Sequence, residues 1–384
     1  MIHYGRQDVN EADIEAVVAV LRSDFLTQGP AIERFERVVA DYCGAKYAVA
    51  VSNATSALHI ACLAAGLGAG DILWTSPITF VASANCGRYC GAAVDFVDID
   101  EKTYNMSADA LEDKLRQAKK EHRLPKIVVP VHLAGQSSDM AHIHALAQQY
   151  GFCVIEDAAH ALGAKYRGEC VGSCQFSDMA VFSFHAVKII TTGEGGMVLT
   201  NRKELYDKLV LYRSHGITRE AAQMTHAPDG PWYYQQIALG FNYRMTDIQA
   251  ALGCSQMDRL EAFVARRRYL AKRYDTLLKD LPLYTPQQSS DTDSSWHLYV
   301  VRLALDRVKK SKKQIFAEMK DRGVNLNLHY IPVHTQPYYE RLGHRAEDCP
   351  AAMRYYREAV TLPLHVQLTD EQQEKVADAL HEVL

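Results

Sequence analysis

The chain has 384 residues, of which 48% are hydrophobic and 23% are charged, and its formal net charge is −4. This composition is that of a soluble globular protein, and it excludes a disordered chain, a collagen-like fibre and a small disulfide scaffold. The slightly negative net charge gives no indication of a nucleic-acid-binding surface.

The cysteines and the hydropathy pattern indicate where the protein works. The nine cysteines include no C-x-x-C pair, so we predict reduced thiols and neither a zinc site nor a disulfide framework. No apolar run approaches the ~20 residues of a membrane helix, and the polar residues 1–16 lack the apolar core of a signal peptide. We therefore expect a cytoplasmic protein that has no membrane partner, no nucleic-acid partner and no metal.

Helices and strands alternate through the first 200 residues. Apolar spacing and capping residues predict helices at 10–21, 30–43, 57–67, 108–119 and 140–150. Short apolar runs predict strands at 46–51, 72–75, 93–97, 127–130, 152–155, 179–184 and 197–200. Continuous apolar strands between helices favour a mostly parallel sheet that is covered on both faces.

The pattern changes near residue 252. One long helix is predicted over 253–281, followed by a strand at 298–303, a helix at 310–321, a strand at 325–329 and a helix at 350–359. A last helix opens with a capping box at 369–372. We predict a large domain over 1–255, which includes the N-terminal helical segment, and a small C-terminal α/β domain over 256–384. The polar stretch 289–295 is interpreted as a surface loop.

Lys188 is the first residue that suggests chemistry. It stands in a strongly apolar stretch, and no acidic residue follows it before Glu194. Lysine is rarely buried without a partner, and a desolvated amine is a competent nucleophile for a carbonyl. The alternative is a surface lysine on a loop, and this segment alone does not decide between the two.

Asp157 and residues 52–56 add to this pattern. Asp157 closes a predicted parallel strand, at the edge of an α/β sheet where ligands bind. A buried carboxylate there needs a cationic partner, and a protonated pyridine nitrogen would be a suitable one. The carboxylate could equally cap a following helix. The small hydroxyl residues at 52–56 precede a helix, where they can hold a phosphate or simply cap the helix. Phe80 can stack on a ring or belong to the core. Together these features match the needs of pyridoxal phosphate (PLP).

The sequence resembles, over nearly its whole length, the DegT/DnrJ/EryC1/StrS sugar aminotransferases. The resemblance implies the aspartate aminotransferase-like α/β fold of PLP fold type I, with a mostly parallel seven-stranded sheet in the large domain and a smaller C-terminal α/β domain. The matching segments are Leu26–Pro30, Ser52–Leu58, Pro77–Asn85, Ile155–Gly163, Phe182–His185 with Lys188, Thr192–Gly196, Arg213–Gly216 and Gly240–Met245.

The same resemblance implies roles for individual residues. Lys188 matches the lysine that joins the cofactor covalently, and Asp157 matches the partner of the pyridine nitrogen. His160 matches a contact on the ring hydroxyl side, and Phe80 matches the stacking aromatic. Asn242 matches an asparagine that reaches the phosphate from the other subunit, which implies a homodimer with two shared active sites. Thr55, Ser56 and Ser183 match the phosphate-binding positions, and Ala54 matches a further cofactor-binding position.

Residues 183–192 and 328–334 are most similar to the C4 aminotransferases of bacterial pseudaminic acid synthesis. The resemblance implies L-glutamate as amino donor and a UDP-linked 2-acetamido-2,6-dideoxy-4-keto-hexose as acceptor. In that subgroup, the sugar-nucleotide pocket is lined by the positions that match Tyr4, Asp24, Phe25, Leu26, Thr27, Asn327, Leu328, His329 and Tyr330.

Three alternatives stay open. The first is the same chemistry at C3 or C4 of another dTDP- or UDP-linked keto-deoxysugar. The second is a PLP-dependent sugar dehydratase, in which a histidine replaces the lysine, and the third is a non-catalytic PLP-binding regulator. Retention of Lys188, Asp157 and Ser183 argues against the last two.

Overall fold

The computed structural model describes residues 1–384 and contains fifteen strands and thirteen helices. The strands are β1 (Tyr47–Val51), β2 (Ile72–Thr75), β3 (Ala93–Phe96), β4 (Ile127–Val129), β5 (Cys153–Asp157), β6 (Lys165–Tyr166), β7 (Glu169–Cys170), β8 (Met179–Ser183), β9 (Gly196–Thr200), β10 (Ile217–Thr218), β11 (Gln235–Gln236), β12 (Leu283–Tyr284), β13 (Thr292–Asp293), β14 (Tyr299–Leu303) and β15 (Ala359–Leu362). The helices are α1 (Glu11–Leu21), α2 (Pro30–Cys43), α3 (Ala54–Ala64), α4 (Ala82–Tyr89), α5 (Ala108–Lys120), α6 (Met140–Tyr150), α7 (Lys203–Arg213), α8 (Asp247–Met257), α9 (Leu260–Leu277), α10 (Lys312–Asp321), α11 (Pro337–Glu340), α12 (Pro350–Glu358) and α13 (Asp370–Val383). None of these helices combines the length and the apolar character that a bilayer span needs.

Seven strands form the central sheet, in the order β1-β9-β8-β5-β4-β2-β3. Only β9 runs against the others, because it pairs antiparallel with both β1 and β8 while all other neighbours are parallel. The predicted mostly parallel sheet is thus confirmed. Its topology brings the ends of β5 and β8 to one edge, which is the edge where α/β sheets bind ligands.

Both faces of this sheet are buried, as the continuous apolar strands predict. Along β8, Met179 and Val181 pack into one hydrophobic cluster, and Ala180 and Phe182 pack into another. Successive side chains of a strand point to opposite faces, so the two clusters are the two covered faces of the sheet.

A smaller antiparallel sheet, with the order β12-β14-β15, lies in the C-terminal part of the chain. Residues of α9, α10 and α13 pack on it in a separate hydrophobic cluster. The N-terminus joins this part, because Ile2 forms a bridge with Val324 and the Tyr4 carbonyl accepts the Leu364 N–H at 3.0 Å. The boundary between residues 255 and 256 stays a prediction.

The long helix predicted over 253–281 is wrong, because two helices, α8 and α9, meet there at Asp258 and Arg259. Arg259 leaves helical geometry with φ −109° and ψ 1°. Its guanidinium binds the carboxylates of Asp8 and Asp13. Neither residue of the break is a helix breaker, so local propensity gives no signal for it.

Three other predictions for the C-terminal half need correction. Residues 325–329 do not form a strand, because only one bridge, between Asn327 and Thr361, is made. The last helix before residue 359 ends at Glu358, and Ala359 already begins β15. The polar stretch 289–295 is only partly a surface loop, since Ser295 is fully buried.

Candidate active site

A cavity of about 920 Å³ opens at the edge of the central sheet where β5 and β8 end. It is bordered by the first turn of α3, by the turn that carries Lys188 and by the stretch that follows residue 326. The predicted site residues that line it are Tyr4, Ala54, Thr55, Ser56, Phe80, Asp157, His160, Ser183, Lys188, Asn327, Leu328, His329 and Tyr330.

The start of α3 has the properties of a phosphate site. Asn53 caps the helix by accepting the Ser56 N–H at 2.8 Å, so the neighbouring hydroxyls are not needed as caps. The N–H groups of Ala54 and Thr55 lie in the first turn, where they have no partner within the helix. The helix dipole adds to the attraction for an anion at this point.

The backbone of β9 packs closely against the start of α3. A Cβ at Gly196 would lie 2.5 Å from the carbonyl carbon of Asn53, so only glycine fits at this position. Ser183, at the end of β8, extends the row of hydroxyls into the cavity. The start of α3 therefore presents free N–H groups and hydroxyl groups at the cavity wall, and this combination suits a phosphate monoester.

Asp157 is buried and has no cationic partner in the chain. One carboxylate oxygen accepts the Ser83 hydroxyl at 2.5 Å, and the other accepts the Ala159 N–H at 3.1 Å. No Lys, Arg or His nitrogen forms an ion pair with it. The alternative of a helix cap is wrong, because residues 158–163 form turns and no helix follows. A buried carboxylate in this setting is suited to a bound cation.

Lys188 lies in the turn between β8 and β9 and lines the cavity. Its amine makes no hydrogen bond or ion pair within the chain, and its neighbours Ile189 and Ile190 are buried. Burial lowers the pKa of the amine from its ordinary value to about 8, against the opposing charge of Asp157. A free amine of this kind is a nucleophile near neutral pH.

This pKa gives a testable pH dependence. The reactive form of Lys188 is the neutral amine, so uptake of PLP by the apoenzyme should speed up as pH rises through about 8. We expect the second-order rate of uptake, followed by stopped-flow absorbance, to rise about tenfold from pH 7 to pH 9 and then to level off. A rate that still rises tenfold per pH unit above pH 9 would indicate a lysine with its ordinary pKa and contradict the burial argument.

His160 and Tyr330 form a hydrogen-bonded pair on another wall. The Ala134 N–H donates to Nδ1 of His160 at 3.3 Å, and Nε2 lies 3.1 Å from the Tyr330 hydroxyl. Burial, with the nearby charge of Lys188, keeps the pKa of His160 well below its ordinary value. The neutral ring therefore carries its proton on Nε2 and donates to Tyr330, which leaves the Tyr330 O–H free to donate elsewhere.

Phe80 lies at the mouth of the cavity. Its side chain is 59% exposed and its ring centroid is 6.4 Å from that of Tyr330. The alternative of a core aromatic is therefore wrong. Tyr4 approaches from the N-terminus, with its ring centroid 5.3 Å from that of His329.

Five predicted site residues do not reach the cavity of this chain. Asn242 is exposed in the segment after β11, and residues 24–27 form an exposed stretch before α2. Large apolar side chains are exposed close to both in sequence: Phe25 is 53% exposed and Leu239 is 79% exposed. A single chain does not bring Asp24, Phe25, Leu26, Thr27 and Asn242 to the cavity.

Several cavity residues were not predicted. Ser83 lies inside a motif used for the family resemblance, but its bond to Asp157 depends on how α4 packs on the sheet. His185 also lies inside such a motif, whereas His59 and His297 lie outside the motifs and carry no sequence signal. The unpredicted lining residues that bear polar groups include His59, Tyr89, His185, Glu194, Tyr243 and His297.

Comparison with known proteins shows which family the chain belongs to. Residues 7–381 match the model of the DegT/DnrJ/EryC1/StrS aminotransferase family. The chain belongs to this family. It is accordingly a PLP-dependent sugar aminotransferase of fold type I, as the resemblance implied.

Individual relatives align over the whole chain. The spore coat polysaccharide biosynthesis protein SpsC of Bacillus subtilis is 38% identical over 379 residues, which cover 98% of this chain and 95% of that protein. The UDP-4-amino-4,6-dideoxy-N-acetyl-beta-L-altrosamine transaminase of Campylobacter jejuni is 34% identical over 385 residues, which cover 100% and 98%. The structure of PseC of Helicobacter pylori, an aminotransferase involved in the biosynthesis of pseudoaminic acid, superposes with a TM-score of 0.90 at 30% identity and covers 100% and 98% of the two chains.

Proposed function

We propose that this aminotransferase moves the amino group of L-glutamate to C4 of a UDP-linked 2-acetamido-2,6-dideoxy-4-keto-hexose. The observation that carries the proposal is one cavity that combines a free amine of lowered pKa, a buried carboxylate without a cation and a helix start suited to phosphate. The named activity of the Campylobacter relative supports the choice of sugar.

Besides Lys188, the residues of the cavity fit PLP in two places. The N–H groups of Ala54 and Thr55, with the hydroxyls of Ser56 and Ser183, would hold its phosphate. Asp157 would pair with its ring nitrogen and keep that nitrogen protonated. When bound, the cofactor supplies a carbonyl for bonding to an amine and a ring that withdraws electrons from the reacting carbon.

Lys188 would serve twice in each half of the reaction. Its neutral amine would hold the cofactor, and an amino substrate would release that amine. The released amine would then accept a proton from Cα of the donor and return it on the cofactor side, because it stays next to the carbon to which it was joined. The second half runs the same steps in reverse, and the kinetics should be ping-pong.

A second sugar is supported by a specific observation. The relative from spore coat polysaccharide biosynthesis is more similar to this chain, at 38% identity, than the Campylobacter transaminase at 34%. The second candidate is therefore amination at C3 or C4 of another dTDP- or UDP-linked keto-deoxysugar.

Product analysis separates these candidates. Keto-sugar nucleotides of each type are incubated with the holoenzyme and L-glutamate, and products are detected by mass spectrometry. NMR of the product then fixes the aminated carbon and its configuration. We expect a C4 amine on the UDP-linked acetamido sugar; amination of only a dTDP-linked sugar, or of C3, would overturn the proposed substrate and favour the second candidate.

We also propose a homodimer in which each active site uses residues of both subunits. Asn242 would reach the phosphate of the partner's site, and residues 24–27 would complete its sugar-nucleotide pocket. The exposure of these residues in the single chain supports this arrangement, as does the exposed apolar surface of Phe25 and Leu239.

A cytoplasmic location is part of the proposal, and nine free cysteines are in keeping with a reducing compartment.

Mixing two inactive variants tests the shared site. Lys188→Ala and Asn242→Ala are each expected to be inactive or nearly so. In a mixed dimer, one site carries both lesions and the other carries neither. After full subunit exchange, half of the dimers are mixed, so activity should return to about one quarter of wild type. No return of activity, with exchange verified by native mass spectrometry, would show that Asn242 does not act in the partner's site.

A further inference from the structure

His297 is a buried residue of the cavity that the mechanism above does not use. It is 4% exposed, lines the cavity together with Lys188, and packs against His160 with the ring centroids 4.4 Å apart. Its Nδ1 is buried without a hydrogen-bond partner. Buried polar atoms in folded proteins are nearly always paired. Among the buried histidines with an unpaired ring nitrogen, which are His297, His334 and His365, only His297 lines the cavity, where a ligand can meet its imidazole.

An unpaired positive charge lies behind His297. Arg267 of α9 is 2% exposed, and its guanidinium donates to the carbonyls of His297 and Leu364, each at 3.1 Å. No carboxylate forms an ion pair with it, and its Nε has no partner. Burial lowers the pKa of Arg267 to about 10, so the group stays charged at neutral pH. A buried charge without a counter-ion favours an anion nearby.

The reaction offers four anionic groups, and position separates them. The γ-carboxylate of glutamate is two methylene groups away from the carbon that bears the amino group, so it lies further from the reacting lysine than the α-carboxylate does. The cofactor phosphate is accounted for by the start of α3. The diphosphate of a sugar nucleotide is several bonds away from the keto carbon, so it lies far from the reacting lysine. The α-carboxylate of an amino acid is attached to the same carbon as its amino group, so its binding group must lie close to Lys188. His297 meets this condition, because it lines the same cavity as Lys188 and because burial, with the nearby charges of His160 and Lys188, lowers the pKa of His297.

We infer that His297 binds the α-carboxylate of the amino donor, and that Arg267 acts as a positioning residue that holds the His297 backbone and supplies positive charge behind it. The inference rests on the proposed function only in that the donor is an α-amino acid. His297 is then a donor-specific residue, which the sugar half of the reaction does not need.

The test compares two donor analogues that differ only in the α-carboxylate. α-Methylglutamate has no hydrogen to lose at Cα, so its binding is measured at equilibrium from the absorbance shift of the holoenzyme. 4-Aminopentanoate is the same molecule without the α-carboxylate, and its binding is read in a stopped-flow instrument before turnover. His297→Leu should weaken binding of α-methylglutamate about 10- to 100-fold. It should leave binding of 4-aminopentanoate within about twofold of wild type.

Two further variants guard against a merely structural effect. His334→Leu is the matched control, because His334 is also buried with unpartnered ring nitrogens but does not line the cavity; it should not change the affinity for either analogue. His297→Gln keeps a hydrogen-bonding group and should recover part of the lost affinity. If His297→Leu does not fold, His297→Gln alone must still weaken α-methylglutamate selectively.

The outcomes separate this inference from the proposed function. Equal weakening of both analogues, or no weakening of either, overturns the role of His297 while the aminotransferase activity stands. Failure of the wild-type holoenzyme to bind α-methylglutamate would instead contradict glutamate as the donor.

Discussion

Lys188→Ala should abolish transamination, with a loss of about 10⁵-fold or more in kcat, because the amine is both the attachment point of the cofactor and the group that moves the proton. The fold should survive. The amine has no ion-pair partner and is desolvated enough to lower its pKa, so its removal should leave the thermal midpoint of the apoenzyme unchanged or raised. Activity and circular dichroism melting curves measure the two effects.

Chemical labelling checks the assignment independently of activity. Borohydride reduction of the wild-type holoenzyme fixes the cofactor to its lysine, and peptide mapping should find the pyridoxyl mass on the peptide that contains Lys188. Lys165→Ala is a matched control, because Lys165 is exposed on β6 and does not line the cavity. It should keep activity within about twofold. A label on any lysine other than Lys188 would contradict the account.

Asp157→Asn should slow the half-reaction with glutamate by about three to six orders of magnitude, which corresponds to about 4–8 kcal/mol of transition-state stabilisation. The substitution keeps the shape of the side chain and removes its charge. Without a carboxylate beside it, the ring nitrogen loses its proton and the ring withdraws electrons poorly. Uptake of the cofactor by Lys188 should persist, since that step needs only the amine and the cofactor carbonyl.

Stopped-flow absorbance separates these two steps in Asp157→Asn. A spectral change on binding glutamate should still occur, and the following loss of the yellow colour should be very slow. Asp139→Asn is the control, because Asp139 caps α6 by accepting the His142 N–H and does not line the cavity; its half-reaction should be normal. A half-reaction of Asp157→Asn within about tenfold of wild type, or about 1.4 kcal/mol, would mean that Asp157 is only structural.

The sequence predicts the fold well where the pattern is continuous and local. The alternation of apolar strands and helices from residue 46 to residue 200 reproduces the central sheet, because burial on both faces favours apolar residues at successive strand positions. The break between α8 and α9 is not predicted by the local pattern. At the break, Arg259 binds the carboxylates of Asp8 and Asp13, which are more than 240 residues away in sequence. The composition of residues 325–329 suggests a strand, but only Asn327 forms a bridge with β15, at Thr361.

The residues of the candidate site also differ in whether the sequence predicts them. Asp157 and Lys188 are found by sequence because Asp157 ends an apolar run and Lys188 stands inside one, and burial penalises a charged residue in either place. Ser83 and His297 are not, because their roles come from tertiary contacts with Asp157 and His160. Asn242 and residues 24–27 belong to neither group, and their predicted roles depend on a second subunit.

A two-step absorbance measurement tests the central claim most directly. The holoenzyme, yellow from PLP held by Lys188, is mixed with L-glutamate in the absence of sugar, freed of glutamate by gel filtration, and then mixed with the UDP-linked 4-keto sugar. We predict that the yellow band disappears with glutamate, with one 2-oxoglutarate released per site, and returns fully with the sugar. A yellow band that persists with glutamate and with every other amino donor tried would contradict the claim that this chain is an aminotransferase.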